Sequence, residues 1–195
     1  LVDESRYVCR YHMADIYTLE RCCLYAVDCE SLSHMARVLG REEEAVYYEK
    51  KRMDMAEQIN TRMWCEEDGC YYNLKFDGTF SKRQSPDCFM PLMTGCVPKE
   101  RKERLLQLLK DENKFWGEYM IPSIAKDDPA FPQQHYWRGQ IWPPQTLWTY
   151  LALKRAGEEE LAWELACKAA GMLSKEWNRN CLLYTSPSPR DRTRS

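Results

Sequence analysis

A predicted helix that ends at a glycine and is followed by a second helix opening with acidic residues or proline occurs three times in this sequence. In the first unit an apolar stripe stops at Gly40, and a run of glutamates then starts a second stripe that ends at Met63. Glycine adopts the left-handed conformation that caps a helix, and glutamates suit the positive end of the next helix dipole. The spacing predicts that the first stripe is buried. Its members are Ile16, Leu19, Cys23, Ala26, Leu32, Met35 and Leu39.

The second unit runs from Phe89 to Gly95 and resumes at Pro98, and the third runs from Leu147 through Gly157 to Leu173. The three glycines are 55 and 62 residues apart. Each repeat is therefore a helical pair plus one long excursion, which is typical of a stacked or closed α/α array. We predict an all-α fold made of three helical hairpins.

Two excursions interrupt the helices. The segment 64–83 alternates apolar and polar residues around an Asp77-Gly78 turn, which predicts a small β-hairpin from Tyr71 to Ser81. The segment 114–144 is about thirty residues long and contains five prolines. Loops of that length in compact domains are usually functional, so we expect the chemistry of the chain to lie there.

Composition limits the classes of partner. With 28 basic and 30 acidic side chains the net charge is −2, which argues against a broad basic surface and so against nucleic acid. No apolar run reaches about 18 residues, so no membrane span is expected. The ten cysteines form no C-x-x-C pair, which favours buried reduced thiols and a cytoplasmic location. We expect no metal and no cofactor.

The long excursion concentrates aromatic rings and hydrogen-bonding groups. Aromatic faces with interleaved polar groups match a sugar, which has an apolar C–H face and a fringe of hydroxyls. Arg138 offers five fixed donors, and Gly139 lets the backbone approach a ligand closely. The rings could instead be core packing. Alternative roles also stay open for four polar residues, as catalytic groups or as turn and surface residues: Glu118, Asp127, Asp128 and His135.

Several strings in this region resemble glycoside hydrolase family 63, the processing α-glucosidases and their mannosylglycerate-hydrolase-like relatives. The most specific string is Tyr136-Trp137-Arg138-Gly139 followed by Ile141-Trp142-Pro143-Pro144, and Phe115-Trp116-Gly117-Glu118-Tyr119, Ile121-Pro122-Ser123-Ile124 and Asp127-Asp128-Pro129 support it. The similarity covers most of residues 14–180.

The resemblance implies an (α/α)6 barrel, of which this chain would hold about three of the six hairpins, with an oligosaccharide or small glycoside as substrate. It also implies an inverting mechanism, in which two opposed carboxyl groups stand about 6.5–9.5 Å apart. Carried over by motif position, Trp116 and Trp137 stack on or shape the sugar cavity, Arg138 binds hydroxyls or holds a carboxylate, and Trp142 forms the floor. The remaining expected binding residues are Gly117, Tyr136, Gly139 and Gln140.

The chain departs from the family at the catalytic groups. The family's acid would precede Leu1, and its base, in a Glu-Asn-Tyr-like segment, would follow the helix of Trp177. We therefore expect no catalytic residue here and an inactive glycosidase fragment over residues 1–180. Residues 181–195 resemble a translated sequencing adapter rather than a natural tail.

Two other classes of function compete with this interpretation. A helical-repeat scaffold could bind protein partners on a concave face, but its turns should be short and alike, whereas one repeat here carries a thirty-residue loop. A lyase or phosphorylase could share the barrel, although no Gly-rich or clustered basic phosphate site stands out. The oligomeric state is left open.

Overall fold

The structure is a computed structural model that describes residues 7–8 and 13–180, with side chains described for residues 15–175. The predicted adapter-derived tail, residues 181–195, lies outside the described residues, as do the thiols of Cys9 and Cys181. All statements on the fold refer to the described part of the chain.

Helices dominate the fold, and each predicted helical pair is present. The first pair is α1 (Leu19–Val38) and α2 (Glu42–Arg62). The second pair is a long 3₁₀ helix (Pro86–Thr94) and α3 (Lys99–Lys110). The third pair is α4 (Pro143–Arg155) and α5 (Glu159–Asn180). A short 3₁₀ turn, Phe131–Gln133, lies in the long loop between the second and third pairs.

The glycines between paired helices have the predicted left-handed backbone. Their φ angles are 70° at Gly40, 70° at Gly95 and 79° at Gly157. At Gly40 and Gly157 nothing lies within 4 Å of the position a Cβ would take, so these glycines serve the backbone turn rather than close packing.

The buried face of α1 follows a different register from the predicted stripe in its second half. Leu19, Cys23 and Ala26 are buried as expected, and burial then continues through Cys29, Ser33 and Ala36. Leu32, Met35 and Leu39 are exposed, so that part of the prediction was wrong. Small residues line the contact because α1 packs closely along α2, where the Ser33 hydroxyl donates to the Ala45 carbonyl at 2.8 Å.

The strands are short and form three small sheets: β1 (Tyr7–Val8), β2 (Met13–Ala14), β3 (Ile16–Tyr17), β4 (Trp64–Cys65), β5 (Cys70–Tyr71), β6 (Asn73–Lys75) and β7 (Phe80–Ser81). β1 pairs with β2, and β4 with β5. The predicted hairpin is confirmed as β6–β7, but Tyr71 belongs to the separate β4–β5 pair. Ile16 was expected to be helical and instead lies in β3, which adds a third strand beside β6.

The long 3₁₀ helix is central because it contacts both α1 and α4. Around it lies one apolar core, to which all three helical pairs and the β4–β5 pair contribute. The largest fully buried side chains among the described residues are Tyr71, Phe89, Phe115, Leu19, Ile59, Met90, Leu105, Leu109, Met120, Ile121, Ile124 and Leu153, all but Ile124 belonging to this core. The long loop supplies four of these side chains, Phe115, Met120, Ile121 and Ile124, so the loop is packed into the interior of the fold.

Two further observations concern membrane-spanning helices and the state of the cysteines. In the described part of the chain, no helix combines the length and apolarity needed to cross a membrane. The eight described cysteines are all free thiols, and five of them are buried. Burial raises the pKa of Cys70, Cys23 and Cys88, as expected for thiols among apolar neighbours.

Candidate functional site

The loop between α3 and α4 is held in place by buried anchors. Phe115 and Ile121 are completely buried, and Phe115 packs edge-to-face against Phe89 of the long 3₁₀ helix with ring centroids 5.2 Å apart. The two limbs of the loop meet where the Ser123 backbone N–H donates to the Gln140 carbonyl at 2.9 Å. The core thus fixes where the polar and aromatic side chains of the loop stand.

Three aromatic rings form a cluster at the start of α4. Trp137 stacks on Trp142 with ring centroids 4.5 Å apart and an interplanar angle of 28°. Tyr136 meets both rings edge-on, at 5.6 Å and 5.2 Å, and its carbonyl accepts a hydrogen bond from the Trp142 indole at 3.1 Å. The Tyr136 side chain is 57% exposed and the two tryptophans are half-buried, so the cluster presents rings to solvent. We call Tyr136, Trp137 and Trp142 the aromatic cluster.

Arg138 follows this cluster in a tight turn. Its backbone N–H donates to the His135 carbonyl at 2.9 Å, and its Nη1 donates to Gln133 Oε1 at 2.7 Å. The side chain is half-buried, and a guanidinium has five N–H donors in a fixed plane. Gln133 orients this fork, whose N–H donors suit hydroxyl or carboxylate oxygens.

Gly139 is needed for the fold of the loop itself. Its φ is 105°, and a Cβ would lie 2.9 Å from the Phe131 carbonyl oxygen and 2.5 Å from Gln134 Nε2. Its N–H donates to the Ser123 hydroxyl at 3.0 Å. The small size of Gly139 therefore permits close contact with other residues of the same loop. The sequence alone suggested a close contact with a ligand instead.

Trp116 and Gly117 lie on the side of α5. Trp116 is partly buried against the core, with Lys168 Nζ 5.5 Å from its ring centroid. The same ammonium donates to the Gly117 carbonyl at 2.9 Å. Both residues join the first limb of the loop to α5, whereas Trp137 and Arg138 lie on the second limb.

A groove of about 710 Å³ opens along the loop next to the aromatic cluster. Gly139 and Gln140, two of the predicted binding residues, are in its lining. The other lining residues are Glu118, Tyr119, Pro122, Lys126, Phe131, Gln134 and Ile141. Among the described residues, the aromatic cluster and Arg138 border the same loop but do not line this groove.

The acidic residues of the loop hold structural contacts. Lys175 Nζ lies 2.8 Å from Glu118, Lys114 Nζ lies 2.8 Å from Asp127, and Arg83 Nη1 lies 3.2 Å from Asp128. Asp128 Oδ1 also accepts the Ala130 N–H at 2.8 Å, which is the turn role that its sequence context allows. These pairings favour surface and turn roles over acid–base chemistry.

Among the described residues, one acidic cluster outside the loop has the ligand atoms to hold a cation. The Cys65 thiol and the carboxylates of Glu67 and Asp68 have ligand atoms within 4.8 Å of one another. Lys82 Nζ already lies 3.1 Å from Glu67 and 3.2 Å from Asp68. Because this ammonium compensates the acidic charge, the cluster is a salt-bridge network in the present structure.

Asp87, in the first turn of the long 3₁₀ helix, is the ionisable residue that sequence reasoning missed. It is 5% exposed, and burial is the main reason that its pKa rises to about 6. Glu20 adds to this rise, while Gln145 and Ser85 oppose it. An acidic residue within an otherwise apolar segment, Pro86 to Thr94, was the available signal.

Repeated helical pairs around one core place the chain in the class of α/α hairpin proteins. Residues 9–181 match the family described as the mannosylglycerate hydrolase MGH1-like glycoside hydrolase domain. The chain therefore belongs to this family of glycoside hydrolase domains.

Curated relatives agree with this assignment. The chain is 23% identical to mannosyl-oligosaccharide glucosidase of Saccharomyces cerevisiae over 183 residues, which is 83% of this chain and 22% of the relative. It is 30% identical to mannosylglycerate hydrolase of Rubrobacter radiotolerans over 138 residues, 67% of this chain and 30% of the relative. The chain thus spans less than a third of the length of these relatives.

Solved structures share the fold. The GH63 mannosylglycerate hydrolase of Thermus thermophilus in complex with glucose superposes with a TM-score of 0.73 at 20% identity, covering 85% of this chain and 38% of that one. Neutral trehalase of Saccharomyces cerevisiae gives 0.72 at 16% identity, covering 89% and 34%. The three helical pairs therefore share the fold of part of these (α/α)6-barrel enzymes, in agreement with the predicted fold class.

Proposed function

We propose that this chain contributes the wall of a sugar site to an inverting glycoside hydrolase that acts on α-linked glucosides or related small glycosides. The observation that carries the proposal is the aromatic cluster at the start of α4, in which Trp137 stacks on Trp142 and is followed directly in the sequence by Arg138. Apolar ring faces beside fixed N–H donors match the C–H face and the hydroxyls of a sugar.

The proposed roles are divided among the loop residues. Trp137 and Tyr136 offer rings to the sugar, Trp142 supports Trp137 from behind, and Arg138 binds hydroxyls or a ligand carboxylate. Gln140 lies exposed in the adjacent groove, where its amide can reach a ligand. Trp116, Gly117 and Gly139 act indirectly, since their contacts hold the loop in shape.

The choice of substrate class is supported by the relatives. A mannosyl-oligosaccharide glucosidase, a mannosylglycerate hydrolase and the glucosylglycerate hydrolase of Mycolicibacterium hassiacum are all similar to parts of this chain. Glycosylglycerates carry a carboxylate, for which the planar guanidinium of Arg138 is a suitable partner. We therefore take glucosylglycerate as the first probe.

The proposal places both catalytic carboxyl groups outside residues 1–180. The acids of the long loop are engaged with Lys175, Lys114 and Arg83, which supports this placement. The 195-residue chain should then bind a glycoside without hydrolysing it. Residues 181–195 have no part in the proposed site, and the free thiols support a reducing, cytoplasmic setting.

Ligand-observed NMR titration of the 195-residue chain with glucosylglycerate tests the proposal. Trp137→Ala and Arg138→Ala should each weaken binding by about tenfold or more, because each removes a direct contact worth roughly 1.4 kcal/mol or more. Trp163→Ala is the matched control, since Trp163 is 70% exposed on α5 and lies outside the loop.

Three results would contradict the proposal. The first is a wild-type chain that binds no glucosylglycerate, and the second is equal weakening by the Trp163 control. The third is release of glycerate by the chain alone, which would show that the catalytic groups lie within it.

A further inference from the structure

Three helices begin side by side with polar side chains that are buried and unsatisfied. Among the described residues, Asp87 Oδ2, both amide atoms of Gln145 and the hydroxyls of Thr18 and Thr146 have no partner with hydrogen-bond geometry, although Gln145 and Ser85 lie close enough to Asp87 to lower its pKa. Asp87 is 5% exposed and Gln145 is 6% exposed. Thr18 immediately precedes α1, Asp87 lies in the first turn of the long 3₁₀ helix, and Gln145 and Thr146 lie in the first turn of α4.

The starts of these helices lie near one another, because the long 3₁₀ helix packs against both α1 and α4. Asp87 is influenced by Glu20, in the first turn of α1, and by Gln145, in the first turn of α4. We call Asp87, Gln145, Thr18 and Thr146 the polar cluster.

Such a cluster is costly for a fold that does not use it. A buried polar group without a partner destabilises a protein by about 1–3 kcal/mol, and native structures leave few of them. Here the unsatisfied atoms include a carboxylate oxygen, which can only accept, and an amide, which donates and accepts. Hydroxyl groups complement both, because each hydroxyl donates one hydrogen bond and accepts others.

The polar cluster adjoins the aromatic cluster through Trp142. The Trp142 carbonyl accepts the backbone N–H groups of Gln145 at 3.0 Å and Thr146 at 3.2 Å. The tryptophan that stacks on Trp137 is therefore also bonded through its backbone to residues of the polar cluster. Ring faces and unsatisfied polar atoms stand at the same end of α4.

We propose that Asp87 and Gln145 are the hydroxyl-binding residues of the carbohydrate site whose ring surface is the aromatic cluster. Asp87 accepts hydrogen bonds from two sugar hydroxyls or from one hydroxyl and the Gln145 amide, and Gln145 fixes the orientation of that carboxylate. Specificity for a hydroxyl pattern then resides in these two residues, while the rings provide contact area. This assignment rests on the proposed function.

Stability and affinity should move in opposite directions if the assignment is correct. Asp87→Asn removes a buried carboxylate charge and Gln145→Leu removes two unsatisfied amide atoms, so the thermal midpoint of the unliganded chain should stay equal or rise. Each variant should weaken glucosylglycerate binding by about tenfold or more in the NMR titration, because a site built to bind hydroxyls loses its partner. Thr149→Val is the control, since the Thr149 hydroxyl is buried on α4 but satisfied by the Gln145 carbonyl at 2.9 Å. It should lower the midpoint and leave affinity unchanged.

The outcomes separate this inference from the proposed function. If Trp137→Ala weakens binding but Asp87→Asn and Gln145→Leu bind like the wild type, the polar cluster is not part of the site and the inference fails alone. The inference also fails if both variants lower the midpoint as Thr149→Val does, since that marks a structural role. If the wild type binds no glucosylglycerate, or if Trp137→Ala binds normally, the proposed function fails and this inference with it.

Discussion

Gly139 is a residue on which the shape of the long loop depends. Its φ of 105° lies in a region that L-residues rarely adopt, and a side chain would meet the Phe131 carbonyl oxygen at 2.9 Å. The Phe131 carbonyl oxygen belongs to the backbone and cannot move aside as easily as the end of a flexible side chain. The backbone conformation of Gly139 therefore sets the positions of its two neighbours, Arg138 and Gln140.

Gly139→Ala should therefore destabilise the chain by about 2–4 kcal/mol, from backbone strain and steric overlap together. Gly40→Ala is the matched control, because Gly40 also has a positive φ, 70°, but has nothing within 4 Å of its Cβ position. The control should cost about 1 kcal/mol. Urea denaturation measures both, and equal losses would contradict the steric argument.

At the scale of single residues, the sequence indicated local contacts within the long loop but missed contacts between segments that are distant in sequence. The Trp137 and Trp142 rings, which lie within one compact motif, stack on each other, and the neighbouring Arg138 side chain bonds to Gln133. Trp116 does not join them, because its contacts are to the core and Lys168. Asp87 was missed because its importance comes from burial between helices that are distant in sequence.

The start of α1 depends on a strand that lies 54 residues further along the chain. Asn73 in β6 accepts the Leu19 backbone N–H through its side-chain oxygen at 2.7 Å, in a buried position. Thr18, the residue that would normally cap the helix, makes no such bond. The β6–β7 hairpin is thus a capping element for α1.

Asn73→Ala should lower the free energy of unfolding by about 1–3 kcal/mol, because it leaves a buried N–H without its acceptor. Asn113→Ala is a suitable control, as Asn113 is exposed and contributes only its backbone N–H to a turn. The control should change stability by less than about 0.5 kcal/mol. Chemical denaturation that finds the two variants alike would refute the capping role.

The helical pairs were predictable because three local signals in the sequence indicate the same helices: the glycine at the end of the first helix, the charged residues that open the second, and the spacing of apolar residues. The second half of α1 was mispredicted since small residues, Cys29, Ser33 and Ala36, form its contact and larger ones point outward. The β3 strand was missed because Ile16 continues the apolar spacing of the helix. Its pairing with β6 is a long-range contact that no local pattern contains.

For the whole molecule, the helical pairs leave two apolar areas exposed in the described part of the chain. A groove of about 390 Å³ runs between α4 and α5, where Leu147 is 51% exposed and Leu173 is 48% exposed. Leu32 and Met35 on α1 form another exposed apolar area. The sequence predicted the pairs themselves, but which helices stand side by side is set by the long 3₁₀ helix, whose contacts to α1 and α4 appear only in three dimensions.

The central claim is that the aromatic cluster at the start of α4 touches a carbohydrate. The most direct measurement is a ¹H–¹⁵N spectrum of the tryptophan indole groups during titration with glucosylglycerate, assigned with single Trp→Phe variants. The Trp142 indole is a sensitive reporter, since it donates to the Tyr136 carbonyl at 3.1 Å inside the cluster. We expect the Trp137 and Trp142 resonances to shift together and saturably while exposed Trp163 stays in place. Shifts confined to Trp163, or no shift at saturating ligand, would contradict the claim.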